Sequence, residues 1–220
     1  AGKGAVFTAD QNVKVRTEAG TDEARGVLMI NGVEGAENTV TLGGKEKAVS
    51  ISAKSGATAF GILADHVGTL SAFGTVGIKA QGVKADGSAH VILGSDNAQV
   101  IVESVSNEGE DTAVFAGKDA TVEFVGETTL TGTTALKTEG TVTAHKAMTI
   151  NGLLETTENS VLILANTTRR PSRSASPTRL SSARMRGARS ATTSTLRAAP
   201  SRTTARSPSR AHSECRIRPS

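Results

Sequence analysis

The chain has no tryptophan, no tyrosine and a single cysteine, Cys215, and its five prolines (Pro171, Pro177, Pro200, Pro208 and Pro219) all lie beyond residue 170. Each absence excludes something. One cysteine gives no disulfide framework and no cysteine-based metal site. The aromatic side chains are Phe7, Phe60, Phe73, Phe115 and Phe124, which is too little ring volume for a core anchored on a buried Trp or Tyr, as in an immunoglobulin sandwich. No apolar run approaches the roughly 18–20 residues needed to span a bilayer. The opening AGKGAVF lacks the charged end, apolar run and cleavage site of a signal peptide. A start at Ala1 rather than Met favours a mature or internal fragment.

What is present divides into two compositions. Residues 1–168 hold all ten lysines, two arginines and 20 acidic residues, a formal −8. Residues 169–220 hold 13 arginines against Glu214 alone, a formal +12. The overall +4 is therefore the sum of two opposite parts, and the chain as a whole does not read as a basic nucleic-acid binder. The later part is almost entirely Arg, Ser, Pro, Thr and Ala, whose codons carry G or C at the second position. That is the composition a frame slip produces in a GC-rich gene. The rival reading is a natural Arg/Ser-rich arm that contacts phosphates, although it lacks the lysines and aromatics such arms combine. On either reading 169–220 is expected to be disordered, because it cannot bury enough apolar area to offset its ordering entropy.

Residues 1–168 alternate at period two: Asn12-Val13-Lys14-Val15, Thr39-Val40-Thr41-Leu42, Ala48-Val49-Ser50-Ile51, Gln99-Val100-Ile101-Val102, Thr121-Val122-Glu123-Phe124 and Thr141-Val142-Thr143-Ala144. These predict short half-buried strands. Asn31-Gly32, Gly43-Gly44, Asp86-Gly87, Gly94-Ser95-Asp96-Asn97 and Asn151-Gly152 supply the turns between them. Helical periodicity is absent, so the fold class is all-β.

Internal likenesses point to stacking. Ile30-Asn31-Gly32 returns as Ile150-Asn151-Gly152, and Ala5-Val6-Phe7 followed by Val13/Val15 returns as Ala113-Val114-Phe115 followed by Val122/Phe124. Gly94-Ser95-Asp96 leading to Val100 and Val102 resembles Gly117-Lys118-Asp119 leading to Val122 and Phe124, an offset of 22 to 23 residues. These predict a parallel β-solenoid of seven or eight rungs, roughly 35 Å long at ~4.8 Å per rung. Val100, Val102, Val122 and Phe124 are expected as inward stacks of adjacent rungs. The alternative is an antiparallel β-sandwich, with the Asn-Gly pairs as two-residue hairpin turns.

No catalytic, cofactor-binding or metal-ligating residue is assigned. Asp65 beside His66 lacks a marked nucleophile and reads as a turn or surface pair whose members point to opposite faces of a strand. His90 and His145 are expected alone and exposed, without metal-ligand spacing. The acidic run Glu108-Gly109-Glu110-Asp111 lacks the pattern of a calcium loop and reads as solvated. β-Helical polysaccharide lyases and hydrolases need clustered acids and aromatic platforms for sugar rings, and without Trp or Tyr the chain is expected not to be an enzyme.

Ala59-Phe60-Gly61-Ile62, Val76-Gly77-Ile78-Lys79-Ala80 and Glu127-Thr128-Thr129-Leu130-Thr131-Gly132, in a cysteine-free setting poor in aromatics, resemble the rung pattern of bacterial autotransporter passengers, the adhesins of type V secretion. The resemblance covers residues 1–168. It implies a right-handed parallel β-helix displayed outside a Gram-negative cell, or secreted, acting as an adhesin or stalk toward host-cell or surface ligands. The family's C-terminal membrane barrel has no counterpart here, as a frame slip would explain. Nucleic acid remains a partner only through a genuine basic tail.

Overall fold

The computed structural model describes residues 4–105 and 112–169. Alternating β-branched residues and frequent glycine corners give 16 strands, with no helix among the described residues. In chain order they make successive turns of a three-sided coil. β1 (Val6–Ala9), β2 (Val13–Glu18) and β3 (Ala24–Gly32) form the first rung. β4 (Asn38–Leu42), β5 (Ala48–Lys54) and β6 (Ala59–His66) form the second. β7 (Gly68–Ala72), β8 (Thr75–Ala80) and β9 (Val83–Ala85) form the third, and β10 (Ala89–Leu93), β11 (Gln99–Ser104) and β12 (Val114–Ala116) the fourth. The fifth joins β13 (Thr121–Phe124) to β14 (Glu127–Thr138), which bends across two sides; β15 (Thr141–Thr156) covers all three sides of the sixth, and β16 (Val161–Arg169) begins the seventh.

Every strand pairing between rungs is parallel. The first side is the ladder β1, β4, β7, β10, β13, β15, β16. The second is β2, β5, β8, β11, β14, β15 and β16. The third is β3, β6, β9, β12, β14 and β15. The molecule is a parallel β-helix, and the antiparallel sandwich is excluded. Asn31-Gly32 is a corner, not a hairpin: Asn31 takes a φ of 63°, and its strand pairs in parallel with β6.

Because alternate residues face inward, each side fills the core with columns of like position. On the first side one column is Val40, Leu70, Val91, Val122, Val142 and Leu162, and the next is Leu42, Ala72, Leu93, Phe124, Ala144 and Leu164. Phe124, the one fully buried phenylalanine, is accommodated by the small Ala144 on the following rung. The second side contributes Ile51, Ile78, Val102, Leu130 and Ile150, all buried. Each such side chain contributes about 1.5–3 kcal/mol by leaving water.

Corners satisfy their own backbone. Asn38, only 1 % exposed, accepts from the Ala5 amide (3.0 Å) and donates to the Ile30 carbonyl (2.7 Å). Gln81 accepts from the Ala59 amide at 3.1 Å. Gly82, at φ 102°, sits where a Cβ would lie 1.9 Å from the Ala113 carbonyl oxygen, so no other residue fits this corner.

The rungs are not of one length. Along the first side, successive register partners from Thr39 onward are 30, 21, 31, 20 and 20 residues apart. Six rungs and the start of a seventh are described, against the seven or eight expected, and the offset of 22 to 23 seen in the sequence is not a rung. Val100 and Val102 face inward from the second side, where β11 pairs β8 and β14, whereas Val122 and Phe124 face inward from the first, where β13 pairs β10 and β15. All four are buried, but the two pairs are not stacked on each other. The same holds for the other likenesses: Ile30 lies on β3 of the third side and Ile150 on the second-side part of β15. What recurs in the sequence is a strand–corner–strand unit, whichever two sides it joins.

The tail expected from 169 onward lies outside the described residues except for Arg169, the last residue of β16. The acidic run Glu108–Asp111 and Cys215 also lie outside them.

The facing of β13 and β15 yields a direct comparison. Val122→Asp places an unpaired carboxylate among Val91 and Val142 and is expected to lower unfolding free energy by at least about 3 kcal/mol. Thr141→Lys on the outer row is expected to change it by less than about 0.5 kcal/mol. Urea unfolding of both variants checks the pair, and similar losses would contradict the inward and outward assignment.

Candidate functional site

A β-helix filled by its own side chains leaves its chemistry to outer rows and corners. An apolar hollow of about 510 Å³ lined by Phe7, Val13, Val15, Val27, Val40 and Leu42 is the interior of the first rung.

On the outer face of the first side the rows are rich in hydroxyls, with Thr39, Thr69, Thr121 and Thr141 in one row and Thr8, Thr41, Ser71 and Thr143 in the next. His90 and Glu123 interrupt them on adjacent rungs, and His145 follows on the next. The two histidines expected to stand alone are in fact joined by Glu123: His90 Nε2 lies 3.2 Å from one carboxylate oxygen and His145 Nε2 lies 2.5 Å from the other. Separations of 33 and 22 residues hide this in the sequence, and only the rung register brings the three together. Burial pushes the Glu123 carboxyl up, but hydrogen bonds from His145 and His90, with the attraction of their charges, outweigh this and hold it below the ordinary carboxylate value. The three form a chain of paired groups on an open face, and no set of three side chains among the described residues is arranged to hold a metal ion.

Asp65 and His66 sit where β6 ends. His66 has a φ of 69°, which breaks strand alternation, so its ring turns back to Asp65 (Nδ1 to Oδ2, 3.3 Å) while its amide donates to Oδ1 at 2.7 Å. The expected opposite facing is therefore incorrect, although the pair is an exposed corner contact, with side chains 52 % and 40 % exposed.

The turns Gly43-Gly44 and Gly94-Ser95-Asp96-Asn97 expected from the sequence lie at the corner between the first and second sides, but the hollow there was not foreseen. There the residues following the first-side strands are Gly43, Phe73, Gly94 and Val125, whose amides bond to the preceding rungs. Phe73, Gly94 and Val125 line a shallow hollow of about 350 Å³ together with Lys45, Ser95 and Asp96; Gly94 takes a φ of 89°, and a Cβ there would meet the buried Val100. A second hollow of similar volume lies on the other flank of the same turn, among Asp96, Asn97, Gln99, Glu127 and Lys146. The only sequence signal is the alternation of long turns (Gly43–Lys47, Gly94–Ala98) with the two-residue corners Phe73-Gly74 and Val125-Gly126.

Lys84 and Lys137 flank the Phe115 ring on the third side at 5.8 and 5.9 Å from its centroid, and each also reaches a carboxylate, Asp86 or Glu155. This is a cross-rung ladder with its charges already paired.

Comparison with protein-family models, curated proteins and solved structures finds no match to this chain.

Because the folded Glu123 titrates below its unfolded value of about 4.5, its contribution is present above that pH and lost as pH falls through the folded pKa. Glu123→Gln is therefore expected to cost about 1 kcal/mol or less near neutrality, as befits a partly exposed cluster. The difference from the parent should vanish in acid. Thermal midpoints of both proteins between pH 7 and pH 3 check this, and a gap that persists unchanged in acid would contradict it.

Proposed function

We propose that this chain is a non-enzymatic, rod-forming segment of a surface-exposed or secreted protein, acting as a stalk or adhesin at the outside of a Gram-negative cell. The observation that carries this reading is the parallel β-helix of six rungs and the start of a seventh, whose interior is occupied by its own columns of Val, Leu, Ile and Ala. Such a core spaces and displays outer residues along an axis. The passenger-like rungs Ala59–Ile62 and Val76–Ala80 lie on β6 and β8, where Ile62, Ile78 and Ala80 are core residues, in keeping with the resemblance to autotransporter passengers. The rod also suits a Thr-rich outer face that stays hydrated, and a non-catalytic role suits His90 and His145, each committed to Glu123 on an open face.

A reading as a nucleic-acid-associated protein rests wholly on the arginines beyond residue 169, and one as a polysaccharide-acting enzyme has no paired acids in a cleft to support it among the described residues.

The test is accessibility in the producing cells. Antibody against residues 4–105 is expected to label intact, unpermeabilised cells or the culture medium, and external protease to remove that label. Label found only after lysis would overturn the surface reading.

A further inference from the structure

We infer that the first-rung end of the coil is a self-association surface, on which a second copy of this chain docks end to end about a two-fold axis.

That end is open on all three sides. Among the described residues β1 pairs only β4, β2 only β5 and β3 only β6, so each strand leaves one row of backbone amides and carbonyls unused. The end is also apolar. Phe7 opens the column that continues through Val40 and Leu70, yet it is 54 % exposed, and Val6 beside it is 74 % exposed. With Val13, Val15 and Val27 they line the hollow of about 510 Å³, which no described strand covers. The devices that usually blunt an edge are sparse, since β1 carries neither charge nor proline and the one charge on β3 is Arg25. Residues 1–3 stand ahead of this end in the sequence. Three residues reach roughly 10 Å, half the roughly 20 Å that the six residues of β2 span.

The two ends of the rod differ, and the difference selects the occupant. At the seventh-rung end the columns cease to be apolar, because Thr167 and Arg169 take the register positions that Met148 and Ile150 hold one rung earlier. The sequence also continues from there into the arginine-rich residues 170–220. Stacking that end on a first rung would set Arg169 in register with Val15 and bring the start of a strongly cationic segment to the joint.

Two first rungs meet without that mismatch. A two-fold axis through the second side turns one copy over, so that β2 lies antiparallel to the partner's β2, and β1 to the partner's β3. Apolar edges then face apolar edges on the first and third sides. On the second side β2 exposes Lys14, Arg16 and Glu18, so its charge changes sign along its length. With Thr17 on the axis, Arg16 stands opposite the partner's Glu18, and Glu18 opposite the partner's Arg16. Centring on Val15 or Arg16 would instead oppose two cations, so charge fixes the register. Arg16 and Glu18 already reach each other within the strand at 3.5 Å and stay exposed, which leaves both free to take the second partner at the rim of the joint.

The test is sedimentation equilibrium of the full chain carrying Cys215→Ser, which removes disulfide dimers. The chain is expected to be a dimer that dissociates in the micromolar range. Phe7→Lys should weaken dimerisation at least about tenfold, and Arg16→Glu about tenfold. Adding Glu18→Arg to Arg16→Glu should restore it, because the exchanged charges again oppose each other across the axis. Ile163→Lys, on the outer row at the other end, should change nothing. Thermal midpoints identify any variant that fails to fold, and the exposed positions 16 and 18 decide the matter even if Phe7→Lys does. A monomer at every concentration, a dimer that Arg16→Glu leaves intact, a loss that Glu18→Arg does not restore, or association that Ile163→Lys abolishes would each overturn the proposal.

Discussion

Successive rungs meet through two simultaneous contacts, a parallel ladder of backbone hydrogen bonds and a column of inward side chains, and neither can be shifted without the other. Val91, Val122 and Val142 lie one above the next because their strands pair in that register. A slip of one residue would turn His90, Thr121 and Thr141 into the core instead. The cross-section is narrow, so the columns are filled mainly by Val, Leu, Ile and Ala, and Phe124 sits beside the small Ala144. This explains the poverty in aromatic residues as a packing requirement. Most corner amides reach a carbonyl of the neighbouring rung, and side chains close others, as Asn38 does for the Ala5 amide and Gln81 for the Ala59 amide.

The facing of individual strands was legible because period two is a local property: Val13/Val15, Val49/Ile51, Val100/Val102 and Val122/Phe124 all face the core. The parallel solenoid was legible too, since no Trp or Tyr competes for a sandwich core and the turn signals recur. Rung register was not. The chain moves from 20 to 31 residues between first-side partners because corners absorb length freely, and a corner's length leaves no mark on the strands it joins. The likeness between Gly94–Val102 and Gly117–Phe124 is real as a strand–corner–strand unit but runs from the first side to the second in one case and from the third to the first in the other. For the same reason His90, Glu123 and His145, or Lys45, Phe73 and Asp96, cannot be assembled from spacing alone.

A filled coil has consequences for what such a protein can do. Its interior is occupied by columns of its own side chains, and its first side presents rows rich in Thr at the rung spacing of about 4.8 Å. Departures from that regularity are where specific chemistry arises. One is the carboxylate clasped by two imidazoles across three rungs; the other is the shallow hollow beside Phe73, Gly94 and Val125 at the corner. Both are produced by register, and both would disappear if the rungs were stacked differently.

The register of the rungs is thus the claim on which the remaining statements stand, and cysteine pairing in the full chain with Cys215→Ser reads it directly. In-register outer residues on adjacent parallel strands have Cα atoms about 4.8 Å apart, inside the roughly 4.4–6.8 Å range of disulfides. Thr121→Cys with Thr141→Cys, partners on β13 and β15, is expected to oxidise to an intramolecular disulfide in the folded protein. Ile101→Cys with Glu123→Cys, which would be neighbours if the offset of 22 residues were one turn, is expected to remain reduced. A disulfide in the second pair and none in the first would contradict the three-sided winding described for this protein.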